Sequence, residues 1–332
     1  MPNIIKIFFN IIIILLLSFS VLVFISENTS TFSRNLSSTI EREFLENYNL
    51  TSKIDSVKIK WEGINPNIRI SQLKLSDKKN NIILDTPVSV FRIDLLESLF
   101  QMSMNVSEII VNNTSIILTR DNSKISINNS SFMDETTKTN NTVFPKIILK
   151  NSTIKLKDKS INNTINFRIN TLIVSSFKDV LTINAKFSHK SSLEPITFIY
   201  HSKKAEGNNI SKAFISGNSV NLPYDLLPPS LKQIKSDRIS FRIWMDLNNM
   251  KIEKLAGNIA ADKLDVKLPL MNLKIKNVNS DILYVKNKTL ETLSLMRLNY
   301  DLNDKKVNDN KIVVSKSKSK QIKVFVKNGS YQ

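Results

Sequence analysis

Two histidines, His189 and His201, are the only imidazoles in the chain, and there is no cysteine. Both histidines lie in stretches that alternate apolar and polar residues, with no acidic partner beside them. A zinc or non-haem iron site needs more ligands of this kind. Without thiols there is no disulfide framework and no thiolate metal site. The nucleophile elbow G-x-S-x-G, the P-loop and the zinc motif H-E-x-x-H are all missing, and Asp and Glu are scattered over strand ends and turns. The expectation is a protein that is not an enzyme and needs no cofactor. The chemistry left to it is partitioning: the placement of apolar side chains where other apolar matter can meet them.

Those apolar side chains follow two patterns. Residues 7–25 form an almost wholly apolar run, interrupted only by Asn10, Ser18 and Ser20. As helix, such a run rises about 28 Å, close to the thickness of the hydrocarbon core of a bilayer. Ile7, Ile11, Leu15, Leu22 and Ile25 are its anchoring residues. Lys6 and the amino terminus lie on the short side, and Glu27 and then Arg34 on the other, which favours a cytoplasmic N-terminus. A cleaved signal peptide is the rival, since Ser18 and Ser20 are small and suitably spaced. Residues 21–25 continue the apolar run beyond them and argue for a retained anchor. Either reading exports the remainder of the chain.

The formal net charge is +18, and it is unevenly distributed. Residues 1–130 hold 13 basic and 12 acidic side chains, whereas residues 131–332 hold 34 and 17. Lys316, Lys318 and Lys320 fall on one face of an extended strand. A solvated strand face that discourages edge pairing accounts for them. Nucleic-acid binding would need a cytosolic body and stacking aromatics on the basic strands, and neither is expected. Isoleucine, asparagine and lysine are abundant while glycine is limited to five residues, a bias that compositional drift accounts for in large part.

The elements that must position these side chains begin after the apolar run. Leu36, Ile40, Phe44, Leu45 and Tyr48 share a helical face, so an amphipathic helix is expected over 36–48, capped by Ser33 or Asn35. Strand patterns follow at Val57/Ile59/Trp61, Ile68/Ile70, Leu73/Leu75, Ile82/Leu84 and Val88/Val90. A short helix is expected over 94–100, and strands resume from Met104. Residues 133–142 are polar and read as a linker or long loop. Beyond them the alternation continues, cleanest at Ile239, Phe241, Ile243, Met245 and Leu247, with Arg242 and Trp244 pointing the other way. Residues 222–231 carry three prolines and break the pattern. Turn signals every 8 to 15 residues mark off roughly twenty short strands, a spacing of all-β architecture. Helical crossovers are missing, which argues against a parallel α/β sheet. Alternation alone leaves two arrangements open. In a sandwich the apolar faces meet a second sheet; in a curved open sheet they line a groove.

The order of features in residues 4–127 resembles the N-terminal region of the AsmA-like family, most closely its YhdP type. The resemblance is carried by the anchor, the following helix and the opening Ile54-Asp-Ser-Val-Lys-Ile-Lys-Trp61-Glu-Gly-Ile-Asn-Pro-Asn-Ile-Arg-Ile70-Ser-Gln-Leu-Lys-Leu75. Ile82-Ile-Leu-Asp-Thr-Pro87, Ile93-Asp-Leu-Leu-Glu-Ser-Leu99 and Ser107-Glu-Ile-Ile-Val111 continue it. A second match lies at Phe241-Arg-Ile-Trp244-Met-Asp-Leu247 and Ile252-Glu-Lys-Leu-Ala-Gly257.

The resemblance implies a mainly β protein: an N-terminal transmembrane helix, then a long, twisted, largely antiparallel open sheet forming a groove, with one or two short helices. It implies a single-pass protein of the bacterial inner membrane with its body in the periplasm, where it moves phospholipid between inner and outer membranes. The expected organisation is a cytoplasmic tip and anchor over 1–26, an amphipathic helix over 27–50, a first β block over 51–132 and continuing groove repeats over 143–332. The groove candidates are Ile59, Trp61, Ile70, Ile183, Phe198, Phe241, Ile243 and Met245. The alternative is a membrane-anchored sandwich that acts as an envelope assembly scaffold without conducting lipid. About twenty strands at roughly 4.8 Å each extend about 95 Å. Relatives of this type are usually longer, so a further segment or envelope protein is expected to complete the bridge.

Overall fold

The computed structural model describes residues 17–18, 20–21, 23–25, 30–48, 50–77, 80–102, 104–121, 124–127, 145–158, 163–189, 194–205, 208–221, 234–236, 238–249, 251–267, 272–287, 289–302, 305–317 and 321–327. Ile7, Ile11, Leu15 and Leu22, the polar stretch 133–142 and the proline-bearing stretch 222–231 lie outside the described residues. The chain is mainly β with few helices. It divides into two compact units, Met1–Ile116 with Ser126–Asp134, and Ile117–Ile125 with Glu135–Gln332. Among the described residues no helix is long and apolar enough to cross a membrane.

The first unit begins with helix α1 (Ser30–Tyr48), followed by β1 (Thr51–Lys53), β2 (Ser56–Glu62), β3 (Asn65–Ser76), β4 (Ile82–Ile93), helix α2 (Leu95–Gln101) and β5 (Val106–Asn112). Strands β6 (Ser115–Asp121) and β7 (Lys124–Ile127) come next in the chain. β1 and β2 lie one after the other along β3, β3 pairs with β4, and β4 with β5, all antiparallel. The hairpin between β2 and β3 turns on Gly63 and Ile64. Gly63 has φ +66 and Ile64 has no positive φ, the pattern of a type II′ turn.

Helix α1 is longer than the apolar period predicts. It includes Ser30 to Asn35, so neither Ser33 nor Asn35 caps it. Instead the Ser33 hydroxyl donates to the carbonyl of Val57, a tertiary bond that holds a polar turn in helical form. Leu36 and Phe44 pack against a core of Ile40, Val57, Ile68, Ile70, Leu73, Leu75 and Ile93, while Leu45 faces out. The helix is thus a lid on the first unit's apolar face. Helix α2 is close to its expected bounds. The Asp94 carboxylate caps it by accepting from Glu97 N at 3.0 Å, and Met102 ends it with φ 51.

The second unit contains β8 (Lys146–Asp158), β9 (Asn163–Phe177), β10 (Val180–His189), β11 (Ile196–Ala205), β12 (Asn208–Val220), β13 (Ile234–Ser236), β14 (Ile239–Asn248), β15 (Lys251–Lys267), β16 (Asn272–Lys286), β17 (Leu290–Leu302), β18 (Lys305–Ser317) and β19 (Ile322–Lys327). Each strand pairs antiparallel with the next, except that β13 and β14 share one lane beside β15 and β14 alone pairs with β12. The result is an antiparallel meander. A sandwich would divide these strands between two sheets; here a single ladder uses all of them.

Long strands need a device to stay in phase, because side chains change face at every residue. In several strands the spacing between successive buried positions is three rather than two. Ile70 and Leu73, Leu149 and Ser152, and Val307 and Asn310 are all buried. Between the members of each pair lies one residue with a left-handed backbone: Gln72 at φ 53, Asn151 at φ 48 and Asp309 at φ 56. Asn277 at φ 52, Ser219 at φ 48 and Arg297 at φ 50 sit at register shifts of β16, β12 and β17. Such irregularities bend a strand and increase its twist. Asparagine tolerates this conformation better than most residues, so part of the asparagine excess has a structural use.

Ile70, with no exposed surface, is the sharpest test of the first unit's core. Ile70→Ala should lower stability by about 2–5 kcal/mol, read as a reduced urea midpoint at unchanged slope. An unchanged midpoint would mean that α1 does not close this core.

Candidate functional site

The registers of the second unit place its apolar residues in rows that run across the strands. Residues directly opposite each other in an antiparallel ladder share a face. One row reads Ile147, Val174, Ile183, Tyr200, Ala213, Met245, Leu255, Tyr284, Leu293, Val314 and Val324. The adjacent row on the same face reads Leu149, Leu172, Ala185, Phe198, Ile215, Ile243, Gly257, Ile282, Leu295, Ile312 and Val326. Neither row contains a charge. Across eleven lanes at about 4.8 Å each they extend roughly 50 Å. Beside them Ile169, Phe187, Ile196, Phe241 and Ile259 widen the apolar face over part of its length.

Five of the sequence-predicted residues therefore come together. Ile183 and Met245 lie in the first row and Phe198 and Ile243 in the second, with Phe241 beside them. All five are half-buried. A sheet covered by a second layer would bury them completely, so this face retains access from outside its own ladder. Ile59 and Trp61 are half-buried on β2 of the first unit. Ile70 is packed in that unit's core beneath α1. Ile25 is on helical backbone and exposed.

The opposite face is not uniformly polar, contrary to a simple alternation. It carries a single mixed row that includes Ile173, Ile199, Phe214, Trp244, Leu283 and Val313. Polar residues flank this row, Lys186, Thr197, Ser216 and Arg242 on one side and His201, Lys212, Asp246 and Lys254 on the other. Trp244 packs against Phe214 with the rings tilted by 43° and their centroids 5.1 Å apart, yet remains 53 % exposed. Burial separates the two faces. Among the described residues of the second unit, Leu149, Ile165, Ile169, Ala185, Ile196, Tyr200, Ala213, Val220, Ala261, Val278 and Val307 are buried apolar residues of the broad face, and Ile148 of the other.

Several polar groups on the broad face are paired. The Tyr200 hydroxyl lies 3.0 Å from Ser211 Oγ, which donates to Ser202 Oγ at 2.9 Å. Farther along, one margin is ionic: Lys286 Nζ meets Glu291 Oε1 at 2.5 Å, and Glu291 stands opposite Lys316. The hydrogen bond between Lys286 and Glu291 holds the carboxyl below its usual range and raises the amine. His201 Nδ1 lies 3.2 Å from Thr182 Oγ1 at an exposed position on the narrow-row face. Among the described residues no group of three or more His, Cys, Asp and Glu could hold a metal ion.

Small residues set the depth of the face. A Cβ on Gly257 would lie 2.1 Å from the carbonyl oxygen of Arg242 and 2.9 Å from Ile243 Cα. Both are backbone atoms, so the two strands would have to separate. Gly257→Ala should destabilise the β14–β15 pairing by about 1–3 kcal/mol. Hydrogen exchange should accelerate in β14 and β15 and stay unchanged in the first unit; uniform protection would show that the strands absorb the methyl group.

Comparison with curated proteins and with solved structures gives no match. The model of one family, described as YhdP protein, matches residues 1–329. The match spans the apolar run 7–25, both units and the apolar rows, and the chain belongs to the YhdP protein family.

Proposed function

We propose that this chain is a membrane-anchored lipid-transfer protein whose broad apolar face in the second unit carries phospholipid acyl chains between inner and outer membranes. The observation that carries the reading is the pair of uncharged rows that cross eleven lanes of a single ladder, most of whose residues stay half-exposed. Membership of the YhdP protein family and the open sheet support it. In this reading residues 7–25 cross the inner membrane, the N-terminus is cytoplasmic, the body is periplasmic and a further envelope protein completes the path.

The physical logic needs no acid, base or cofactor. Exposing one methylene to water costs about 0.8 kcal/mol, so a tail leaving a bilayer must be met by apolar surface along its whole route. A headgroup can stay in water beside the rows while the tails follow them. Interruptions matter more than average hydrophobicity, because one charged position stops every tail that must pass it.

Two experiments test this. A photo-crosslinker at Phe241 or Ile243 should capture phospholipid in cells, and one at Arg242 should not; equal capture at all three would remove the distinction between faces. Second, Ile183→Asp or Phe198→Asp should abolish function at normal protein abundance. Passing an acyl chain over the new carboxylate strips it of water at a cost of several kcal/mol, whereas an uncovered face leaves that carboxylate hydrated in the resting protein. Outer-membrane integrity and protein level are read together. Lost function at normal level is the expected result, loss of the protein would point to a covered scaffold core, and normal function would reject the rows as a route.

A further inference from the structure

We propose that α2 is a membrane foot: its exposed apolar residues, with Ile64, insert into the lipid interface beside the point where the chain enters the bilayer. The inference rests on the reading that residues 7–25 span the membrane. The starting observation is a concentration of large apolar side chains in water. Leu96, Leu99, Phe100, Met102 and Met104 are all exposed, Phe100 by 88 % and Met102 by 92 %. No residue of α2 is buried. Single exposed apolar residues are ordinary, but five within nine positions form a patch of the kind that marks an interaction surface.

The topology of the first unit says what that surface meets. Ser33 of α1 bonds to Val57 near the start of β2, and Glu41 accepts from Ile54 N at 3.2 Å, three residues earlier in the chain. Helix α1 therefore runs antiparallel to β2. Moving back along α1 from Ser33 toward Ser30 is moving forward along β2, toward its turn at Gly63 and Ile64. That end of the sheet is where β4 stops at Ile93 and β5 starts at Val106, so α2, which joins them, lies there too. Leu95 N donates to Asn65 Oδ1 at 3.2 Å and ties α2 to the same turn. Ile64, at the turn itself, is exposed.

The N-terminal end of α1 thus points toward the end of the unit that carries the patch. Leu17, Val21, Phe24 and Ile25 of the apolar run are on helical backbone and exposed, which in water would be costly and in lipid is not. A bilayer that receives residues 7–25 lies at the end that presents Phe100 and Met102. Asp94 and Glu97 are the charged residues of the foot, so its attraction to lipid is apolar rather than electrostatic. Amphipathic segments of this kind sit about 5–10 Å into the boundary between headgroups and acyl chains. The consequence is orientational: an anchor alone leaves the body free to swing, whereas an anchor plus a foot fixes the first unit's sheet at a set angle to the membrane.

The test exploits the absence of cysteine, which makes any introduced thiol a unique label site. Full-length Phe100→Cys, Leu15→Cys and Ser115→Cys variants, the last at the opposite end of the first unit, are labelled with a fluorophore and reconstituted in phosphatidylcholine vesicles. The Phe100 label should be quenched by lipids carrying a spin label high on the acyl chain and protected from iodide in the water. The Ser115 label should behave in the opposite way. A Phe100 label as open to iodide as the Ser115 label overturns the foot. So does one protected from both quenchers, since a protein surface would then cover it. Leu15 separates the two readings. If Leu15 is in lipid and Phe100 in water, the anchor stands and the foot fails. If Leu15 is in water and Phe100 in lipid, the foot stands without the anchor, and both in water reject both.

Discussion

Phase between neighbouring strands is the constraint on which the second unit depends. A single-layer sheet has no opposing layer to correct a side chain that points the wrong way. An apolar face survives from β8 to β19 only if every strand enters with the same parity as the last. Strands as long as β15, at 17 residues, also twist and cannot hold a straight register throughout. The left-handed residues at Asn151, Ser219, Asn277, Arg297 and Asp309 resolve the conflict. Each lets a strand bend and resume with the opposite parity, so that apolar side chains return to the same face.

The two units treat the same kind of sheet in opposite ways. In the first, α1 lies on the apolar face and buries Val57, Ile70 and Leu73 to about the level of any globular core. In the second, no described element plays that part, and Phe198, Ile215 and Ile243 stay half-exposed. The difference traces to the chain. Leu36, Ile40 and Phe44 give the first unit a helix with an apolar stripe, whereas the described residues from β8 onward are strands and turns. An uncovered apolar face of this length is costly in water, which is a physical reason for it to have an apolar occupant.

Much of this was legible from residue order. The alternation Ile239, Phe241, Ile243, Met245, Leu247 identifies both a strand and the residues that share a face, and the registers with β12 and β15 agree. Both helices are legible in their apolar residues, Leu36, Ile40 and Phe44 for α1 and Leu95, Leu96, Leu99 and Phe100 for α2. The parity changes were not legible. A spacing of three between Ile70 and Leu73 reads locally as a gap between two strands, because no residue type marks Gln72 as left-handed. The apolar period does not reach the start of α1 for a related reason: Ser30 to Asn35 has no such period, and a bond from Ser33 to Val57, far away in the chain, helps to hold it helical. The choice of face was also beyond sequence. Ile173, Ile199, Phe214 and Trp244 make the opposite face look similarly apolar, and only burial distinguishes them. Ile70 fits the alternation of a groove residue, yet it lies under a helix that alternation cannot see.

The meander has one more property. From β8 to β19 each strand bonds to the next, except that β12 pairs with β14 and β13 lies beside β15, so the connections within this ladder are almost entirely local along the chain. Such a ladder is nearly one-dimensional, and its stability is close to a sum of nearest-neighbour terms, as in repeat proteins. Adding or deleting a hairpin alters the path by about 10 Å without rebuilding a shared core. Reach is therefore a quantity that evolution or an engineer can set two strands at a time, provided that the inserted pair preserves parity.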